Sequence, residues 1–307
     1  METVTCNYCG SSRAERVFLL EDYAFNQQGT FDLVRCLECD LLYLRERPTA
    51  SEIVTFYPAE YVPYKTAIED EGWGLMRWMR RRNIAKYRHV VEDFSARVPG
   101  HILDVGCSTG IFLAEMREAG WDTHGVELNA AAAKYARRRF ELDVAVGSLN
   151  GTELPYGAFT AVTFWDVLEH TADPQGTLRK THTLLGKDGI VVITVPNYDS
   201  WDRRVFGRYW IGYDAPRHFY VFPESVLTKM LVRAGFEVLD MRCAFGGYHT
   251  TVASLRLWLT RSACPRLRRL LLRLIDLPGM RLPFLPLERV ADVFGVGGKQ
   301  QVVARKV

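Results

Sequence analysis

Three groups of residues in this sequence have the types and spacing to do chemistry. Cys6-Asn7-Tyr8-Cys9 and Cys36-Leu37-Glu38-Cys39 are two C-x-x-C pairs with 26 residues between them. Each pair fits a tight turn, and four thiolates satisfy tetrahedral Zn2+ with no position left open, so the metal would be structural. The second group is Leu103-Asp104-Val105-Gly106-Cys107-Ser108-Thr109-Gly110, an apolar strand running into a glycine turn. Gly106 and Gly110 let the backbone pass close to a ligand, and the following helix offers unpaired N–H groups. Glu127 ends the next apolar strand, 21 residues after Gly106. A carboxylate there accepts hydrogen bonds from ribose hydroxyls, so the pair reads as a nucleotide-type cradle. The third group holds histidines beside acids: Asp166-Val167-Leu168-Glu169-His170 and Asp214-Ala215-Pro216-Arg217-His218. A histidine whose pKa lies near neutrality can take the proton of an attacking hydroxyl.

The elements that must position these residues follow from periodicity. From residue 99 onward, apolar strands alternate with helices: strand 101–105, helix to Ala119 stopped by Gly120, strand 121–127, helix 130–140, strand 142–146, strand 159–165, helix 174–185 and strand 190–195. That rhythm implies an α/β fold with a parallel sheet and helices on both faces. Ligands of such sheets lie at the C-terminal ends of the strands, where the glycine turn, Glu127 and Asp166 all fall. Residues 1–47 read as a zinc ribbon, with strands at Val17–Leu20, Phe31–Arg35 and Leu41–Leu44 around the cysteine pairs; a unit this small needs its metal to fold. Residues 48–98 form an aromatic connector, Phe56 to Tyr64, followed by an amphipathic helix. Its apolar face is Ile84, Tyr87, Val91, Phe94 and Val98, and upstream Trp73, Met76, Trp78 and Met79 alternate with Arg77, Arg80, Arg81 and Arg82.

With these residues in view, the sequence resembles class I S-adenosylmethionine (SAM)-dependent methyltransferases. Residues 103–110 are similar to their motif I, with Ser108 at the usual middle glycine, and Asp166 to His170 is similar to the "D-V-L-E-H" motif of small-molecule members. The resemblance implies a Rossmann-like, seven-stranded, mostly parallel sheet with the last strand, 300–306, antiparallel, all within residues 99–307. It implies SAM as cofactor, with Asp104, Gly106, Cys107, Ser108, Gly110, Phe112, Glu127, Leu128, Ser148, Leu149, Asp166 and Val167 around it. Glu127 would hold the ribose; Ser148 stands where an adenine-contacting Asp is common; Asp166 and Val167 would face the methyl end. Asp214 to Phe219 resembles a "D-x-P-R-H" signature of a subgroup linked to ubiquinone-, polysaccharide- and natural-product-modifying enzymes. His218 is then the first choice of catalytic base and His170 a second, while Arg217 orients an anionic acceptor or pairs with Asp214 to stake the loop.

Composition bounds the rest. The 307 residues are 48% hydrophobic, ample for a core, and carry a net charge of only +3. That total gives no argument for nucleic acid as a partner. The seven cysteines do not read as a disulfide framework in a chain this long. No N-terminal signal and no spanning apolar run are recognisable, so a cytoplasmic location is expected. Two segments interrupt the α/β rhythm. Residues 197–222 are aromatic enough for a lid or pocket wall over a small ligand. Residues 245–298 form a helical insertion rich in Leu and Arg, compatible with peripheral contact to an anionic membrane at the inner surface, or with a homodimer contact. The reading is a methyltransferase acting on a small-molecule, sugar or lipid-linked acceptor, with oxygen as the first-choice atom. The alternatives are an rRNA or tRNA methyltransferase whose zinc ribbon contacts RNA, and a SAM-binding protein without turnover. The Pro-Pro-Tyr type motif of amino-directed nucleic-acid enzymes is absent.

Overall fold

In the computed structural model, described for residues 1–57, 74–96, 98–243, 247–262, 264–275 and 284–307, alternating apolar residues build one large sheet. The N-terminal unit comes first: β1 (Glu2–Thr3), β2 (Ala14–Glu21), β3 (Thr30–Cys36), β4 (Leu42–Leu44) and β5 (Glu46–Arg47). The helix α1 (Gly74–Phe94) leads into β6 (His101–Val105), α2 (Ile111–Glu118), β7 (Asp122–Glu127), α3 (Ala130–Phe140), β8 (Asp143–Val146) and β9 (Phe159–Trp165). Then follow α4 (Pro174–Leu184), β10 (Leu185–Pro196), α5 (Trp201–Phe206), β11 (Tyr220–Val221), α6 (Glu224–Arg233) and β12 (Phe236–Cys243). The chain closes with α7 (Gly247–Ser262), α8 (Pro265–Ile275), α9 (Phe284–Val293) and β13 (Lys299–Lys306).

Seven strands form the main sheet in the order β12-β13-β10-β9-β6-β7-β8. The central pairs β6–β7, β6–β9, β9–β10 and β7–β8 are parallel, and β13 runs antiparallel to both its neighbours. Successive side chains of a strand point to opposite faces, so one strand feeds two cores. On β10, Val191, Ile193 and Val195 join a cluster with Leu178, Leu184, Val226, Leu227, Met230 and Leu231 of α4 and α6. Ile190 and Val192 join the opposite cluster with Val91, Leu113, Met116, Ala133 and Ala136 of α1, α2 and α3. Ile84, Tyr87 and Phe94 pack there too, as their spacing predicts. Val98 does not, because the helix stops at Phe94 and leaves it exposed. Strand β10 starts five residues earlier than its apolar run, with a register shift between Leu185 and Ile190.

The cysteine-bearing unit is not bounded at residue 47. β11, from the aromatic segment 197–222, adds to β4 and completes a four-stranded sheet β11-β4-β3-β2. Leu33, Val34, Leu42 and Leu44 then share one hydrophobic cluster with the main sheet. The side chain of Asn7, between Cys6 and Cys9, donates to Asp173 at 2.9 Å and accepts from the N–H of Gln175 at 3.0 Å. Asp173 is itself the N-cap of α4, accepting from Gly176 N–H at 2.8 Å, so one cysteine turn helps to cap a helix of the other unit.

The aromatic residues 58–64 and Trp73 lie outside the described residues, as do the side chains of Met76 to Arg81. In the insertion, Ser254 of α7 accepts from the N–H of Ile211 at 3.0 Å, tying it to the aromatic segment. Among the described residues no helix is long and apolar enough to cross a membrane.

Candidate functional site

The turn between β6 and α2 is shaped by three left-handed residues, Gly106 (φ 74°), Ser108 (φ 50°) and Gly110 (φ 80°). A Cβ on Gly106 would lie 2.6 Å from a Val167 methyl, so the glycine turn and the exit of β9 touch at that point. A Cβ on Gly110 would meet Leu142 at 2.6 Å and Ala136 at 2.9 Å, which is how the turn closes onto α3. Glu127 braces the cradle from β7: its two oxygens accept from Ser108 N–H at 2.8 Å and Asn129 N–H at 2.7 Å. Burial raises its pKa, and those backbone donors oppose the rise. A carboxylate has about four acceptor sites, so it can still take a ribose hydroxyl beside these backbone donors. Leu128, next in the chain, is 72% exposed, an apolar surface at the edge of the cradle.

The other expected cofactor residues divide into two sets. Leu149 is buried, Phe112 stands edge-on to Trp165 with centroids 5.3 Å apart, and the Ser148 hydroxyl accepts from Gly151 N–H at 3.2 Å, capping its own turn. Asp104 and Cys107 are turned into the protein. The Asp104 carboxyl accepts from the Thr163 hydroxyl of β9 at 2.7 Å, and burial pushes its pKa up to about 8. Cys107 packs on Gly125, where a Cβ would come within 2.6 Å of its sulfur, and burial raises its thiol well above the ordinary range.

At the exit of β9, Asp166 adopts φ 56° and its N–H is shared between the carbonyl of Thr194 at 3.1 Å and its hydroxyl at 3.0 Å. Its carboxylate pairs with Lys299, the first residue of β13. Glu169 is fully buried, and neither carboxylate oxygen has a hydrogen-bond partner among the described residues. Burial, with Asp166 adding to it, raises its pKa well above the usual range. His170 Nδ1 lies 3.0 Å from the Arg217 carbonyl and 3.1 Å from the Tyr57 hydroxyl. His218 Nδ1 lies 2.9 Å from the Gly212 carbonyl. The two rings meet edge to face, centroids 4.6 Å apart. Burial lowers both pKa values, that of His170 to about 3, and so favours the neutral form of each imidazole.

Arg217 has no exposed surface. Its guanidinium donates to Asp214 at 2.8 and 2.6 Å, to Asp22 at 3.0 and 2.8 Å, and to the carbonyl of Phe56 at 3.2 Å. All of its donors face protein acceptors, so it stakes the segment that carries His218 to the loop after β2. Arg47 adds a second stake, donating to the Tyr220 hydroxyl at 2.9 Å and to the Ala172 carbonyl at 3.1 Å. The segment 197–222 is thus a packed wall, with Trp210, Tyr213, Phe219 and Tyr220 buried. Sequence reasoning missed Asp22, Arg47 and Lys299, because each meets its partner across more than a hundred residues. No local spacing signals such a pair.

The sulfurs of Cys6, Cys9, Cys36 and Cys39 come within 4.8 Å of one another, with Cys6–Cys39 and Cys9–Cys36 both at 3.4 Å. Each turn closes in the same way: Cys6 N–H to Ser11 O at 3.0 Å and Cys36 N–H to Leu41 O at 2.9 Å, with Gly10 and Asp40 left-handed.

Residues 78–241 match a family described as "Methyltransferase domain". The ubiquinone biosynthesis O-methyltransferase of Pseudomonas paraeruginosa is 30% identical over 186 residues, 54% of this chain and 80% of that relative. The protein of the same name from Psychrobacter arcticus is 27% identical over 175 residues, 52% of this chain and 66% of that relative. Among solved structures, geranyl diphosphate C-methyltransferase from Streptomyces coelicolor aligns with a TM-score of 0.54 at 14% identity, covering 85% of this chain and 100% of that one. The cyclase SpnF aligns at 0.52 and 18% identity, covering 85% and 97%. These two likenesses establish the fold alone, and a fold shared with a cyclase leaves the reaction to be argued from the site.

Proposed function

This chain belongs to the methyltransferase-domain family and is a SAM-dependent class I methyltransferase, and we propose that it methylates a hydroxyl oxygen of a small-molecule, sugar or lipid-linked acceptor. The relatives named as O-methyltransferases support the acceptor atom. In this reading Gly106, Ser108 and Glu127 hold the cofactor's ribose end, Leu128 and Leu149 its adenine, and Val167 the methyl end beside Gly106. When bound, SAM supplies an electrophilic methyl group on a sulfonium, whose bond to sulfur breaks as the bond to the acceptor oxygen forms.

The chain's own residues align the hydroxyl and receive its proton. The single observation that carries this is the pairing of His170, at the exit of β9, with His218, just before β11. A carbonyl only accepts, so His218 Nδ1 carries the proton toward Gly212 O, and among the described residues its Nε2 lone pair meets no hydrogen-bond donor. Nε2 of His218 takes the hydroxyl proton; His170, fixed by Arg217 O and Tyr57, supports its ring. Arg217 and Asp214 act by position, holding this segment without touching the acceptor. Alignment does much of the work, since a correctly placed nucleophile gains several orders of magnitude in rate.

Two accessory parts belong to the same reading. The four sulfurs fit a closed tetrahedral Zn2+ site, which would be structural. The insertion exposes Leu270 and Leu274 of α8 among its arginines, and Leu287 and Val290 of α9, a surface suited to peripheral contact with an anionic membrane that holds a lipid-linked acceptor.

The test is transfer of labelled methyl from SAM into fractionated extract, with RNA, lipid, glycan and small-molecule pools counted separately. Label in a lipid, glycan or small-molecule hydroxyl, reduced at least ~100-fold in His218→Ala with SAM affinity kept, is the expected result. Label in RNA would replace this reading with the RNA-modifying one, and SAM binding without transfer to any pool would favour the non-catalytic one.

A further inference from the structure

We infer that His101, Asp122 and His124 form an exchangeable binding site for one Zn2+ ion, at the end of the main sheet opposite the glycine turn and separate from the four-cysteine cluster. One ligand atom from each of the three lies within 4.8 Å of the other two.

Strand register brings them together. His101, Asp122 and Asp143 open β6, β7 and β8, which pair in parallel. His101 stands opposite Asp122, and His124 opposite Asp143. Residues two apart on a strand share a face, so all four side chains fall on one side of the sheet. The row alternates imidazole and carboxylate. His101 Nδ1 lies 2.7 Å from Asp122 Oδ2, His124 Nε2 lies 3.7 Å from Asp122 Oδ1, and His124 Nδ1 lies 3.0 Å from Asp143 Oδ2.

His124 is the decisive residue. It stands between two carboxylates and, as a neutral imidazole, owns one N–H. The 3.0 Å contact assigns that N–H to Nδ1, donating to Asp143. Nε2 then turns a lone pair toward an oxygen of Asp122, acceptor against acceptor across 3.7 Å. That gap is too long for a hydrogen bond. It suits two ligands of one ion, because bonds of about 2.0–2.2 Å at the tetrahedral angle set ligand atoms about 3.3–3.6 Å apart. Zinc-binding histidines are held in this way, one nitrogen on the metal and the other N–H on a carboxylate. The ring is also fixed from the side, edge-on to Phe159 with centroids 5.5 Å apart.

Charge points the same way. Among the described residues no Lys or Arg pairs with Asp122 or Asp143. With neutral imidazoles the row therefore holds two negative charges, which one divalent ion cancels. Two imidazoles and one carboxylate suit Zn2+ over Mg2+ or Ca2+, which prefer all-oxygen sites. On binding, the proton between His101 Nδ1 and Asp122 moves to His101 Nε2, and Nδ1 becomes the third ligand. The side chains of His101 and Asp122 are each 58% exposed, so water supplies the fourth ligand and the ion exchanges with solvent. The closed cysteine cluster keeps its zinc through gel filtration, whereas this site is stripped and refilled. A bound ion ties together the starts of β6 and β7, the strands whose far ends lead into Gly106 and Glu127, and it stabilises the folded chain because it binds only there.

The experiment uses the full chain, gel-filtered with its cysteine cluster loaded with zinc. Zn2+ is then titrated by calorimetry and Co2+ by its visible spectrum, with Mg2+ as control. The expected result is one further ion per chain, saturating at micromolar Zn2+. It binds at least ~10-fold more weakly in His101→Asn, in His124→Asn and in Asp143→Asn, which only orients the imidazole. It is unchanged in His89→Ala and in His218→Asn. Added Zn2+ raises the melting temperature of the parent chain and not that of His124→Asn. SAM affinity, measured in parallel, shows that each variant is folded. No further ion, binding only at millimolar Zn2+, or a further ion indifferent to the His124 substitution overturns the site; an imidazolium at position 124 would then serve both carboxylates. None of these outcomes depends on which acceptor is methylated.

Discussion

Replacing Asp22 by asparagine takes one of two carboxylates from a guanidinium that has no contact with solvent. Asp22 supplies two hydrogen bonds to Arg217, at 3.0 and 2.8 Å, and Asp214 supplies two more. Removing one partner of a buried ion pair costs about 3–5 kcal/mol when the remaining charge is left alone. Here Asp214 still neutralises Arg217 and the asparagine oxygen keeps one acceptor, so the loss should be about 2 kcal/mol, rising to about 3–4 kcal/mol in Asp22→Ala. Urea unfolding at neutral pH with zinc present measures it, as a shift in midpoint at unchanged slope. The functional consequence is selective. Asp22 touches the segment that carries His218 and not the glycine turn, so SAM affinity should change less than about twofold while kcat/KM for the acceptor falls about tenfold, equivalent to ~1.4 kcal/mol of misplaced transition state. A stability loss below about 0.5 kcal/mol would mean that the pair behaves like an exposed one. A fall in SAM affinity as large as the acceptor effect would refute the idea that this stake acts on the acceptor side.

Three further outcomes are expected. Gly106→Ala introduces a Cβ 2.6 Å from Val167 at φ 74° and should weaken SAM binding about tenfold or more by calorimetry; Val167→Ala in the same chain relieves the clash and restores part of it, but not the ~1 kcal/mol of left-handed strain. Asp104, with its pKa raised to about 8, stays protonated in the folded protein where the unfolded chain has released the proton. Its contribution to stability is therefore full below pH ~4 and is lost as pH rises through about 8. At ~1.4 kcal/mol per pH unit the loss between pH 5 and 8 is about 4 kcal/mol for a rigid dry site, and about 2 kcal/mol once water enters. Asp104→Asn should remove that slope in denaturation series at the two pH values. Cys36→Ser should abolish stoichiometric zinc and lower the melting temperature by about 10 °C, because the Cys6–Cys9 turn also bonds to the first turn of α4. A melting point unchanged within error would show the cluster to be an ornament on an independently stable core.

Much of the architecture was legible in the residues alone. Strand and helix periodicities are local properties, and α3, expected at 130–140, spans Ala130–Phe140. Glycines with a forced conformation are equally legible, since only they tolerate a left-handed turn next to close neighbours, as at Gly106 and Gly110. The acid at the end of β7 could be placed because chain rise per residue ties Glu127 to the strand that carries it. The cysteine cluster was visible as two spaced pairs that close into one site. Spacing does not say which way a side chain faces once strands pair. Asp104 and Cys107 sit in the glycine motif yet turn inward, toward Thr163 and Gly125.

The sequence by itself determined the α/β rhythm, the glycine turn, the terminal acid and the four thiols, because each rests on neighbours within a few residues or on one repeated spacing. Tertiary structure alone decided that β11 pairs with β4, that Arg217 is spent on Asp22, and that Lys299 answers Asp166. It alone brought Glu169 and His170 against His218. Those meetings join parts of the chain far apart in order, and they are settled by how two sheets share one hydrophobic core, which no local pattern encodes.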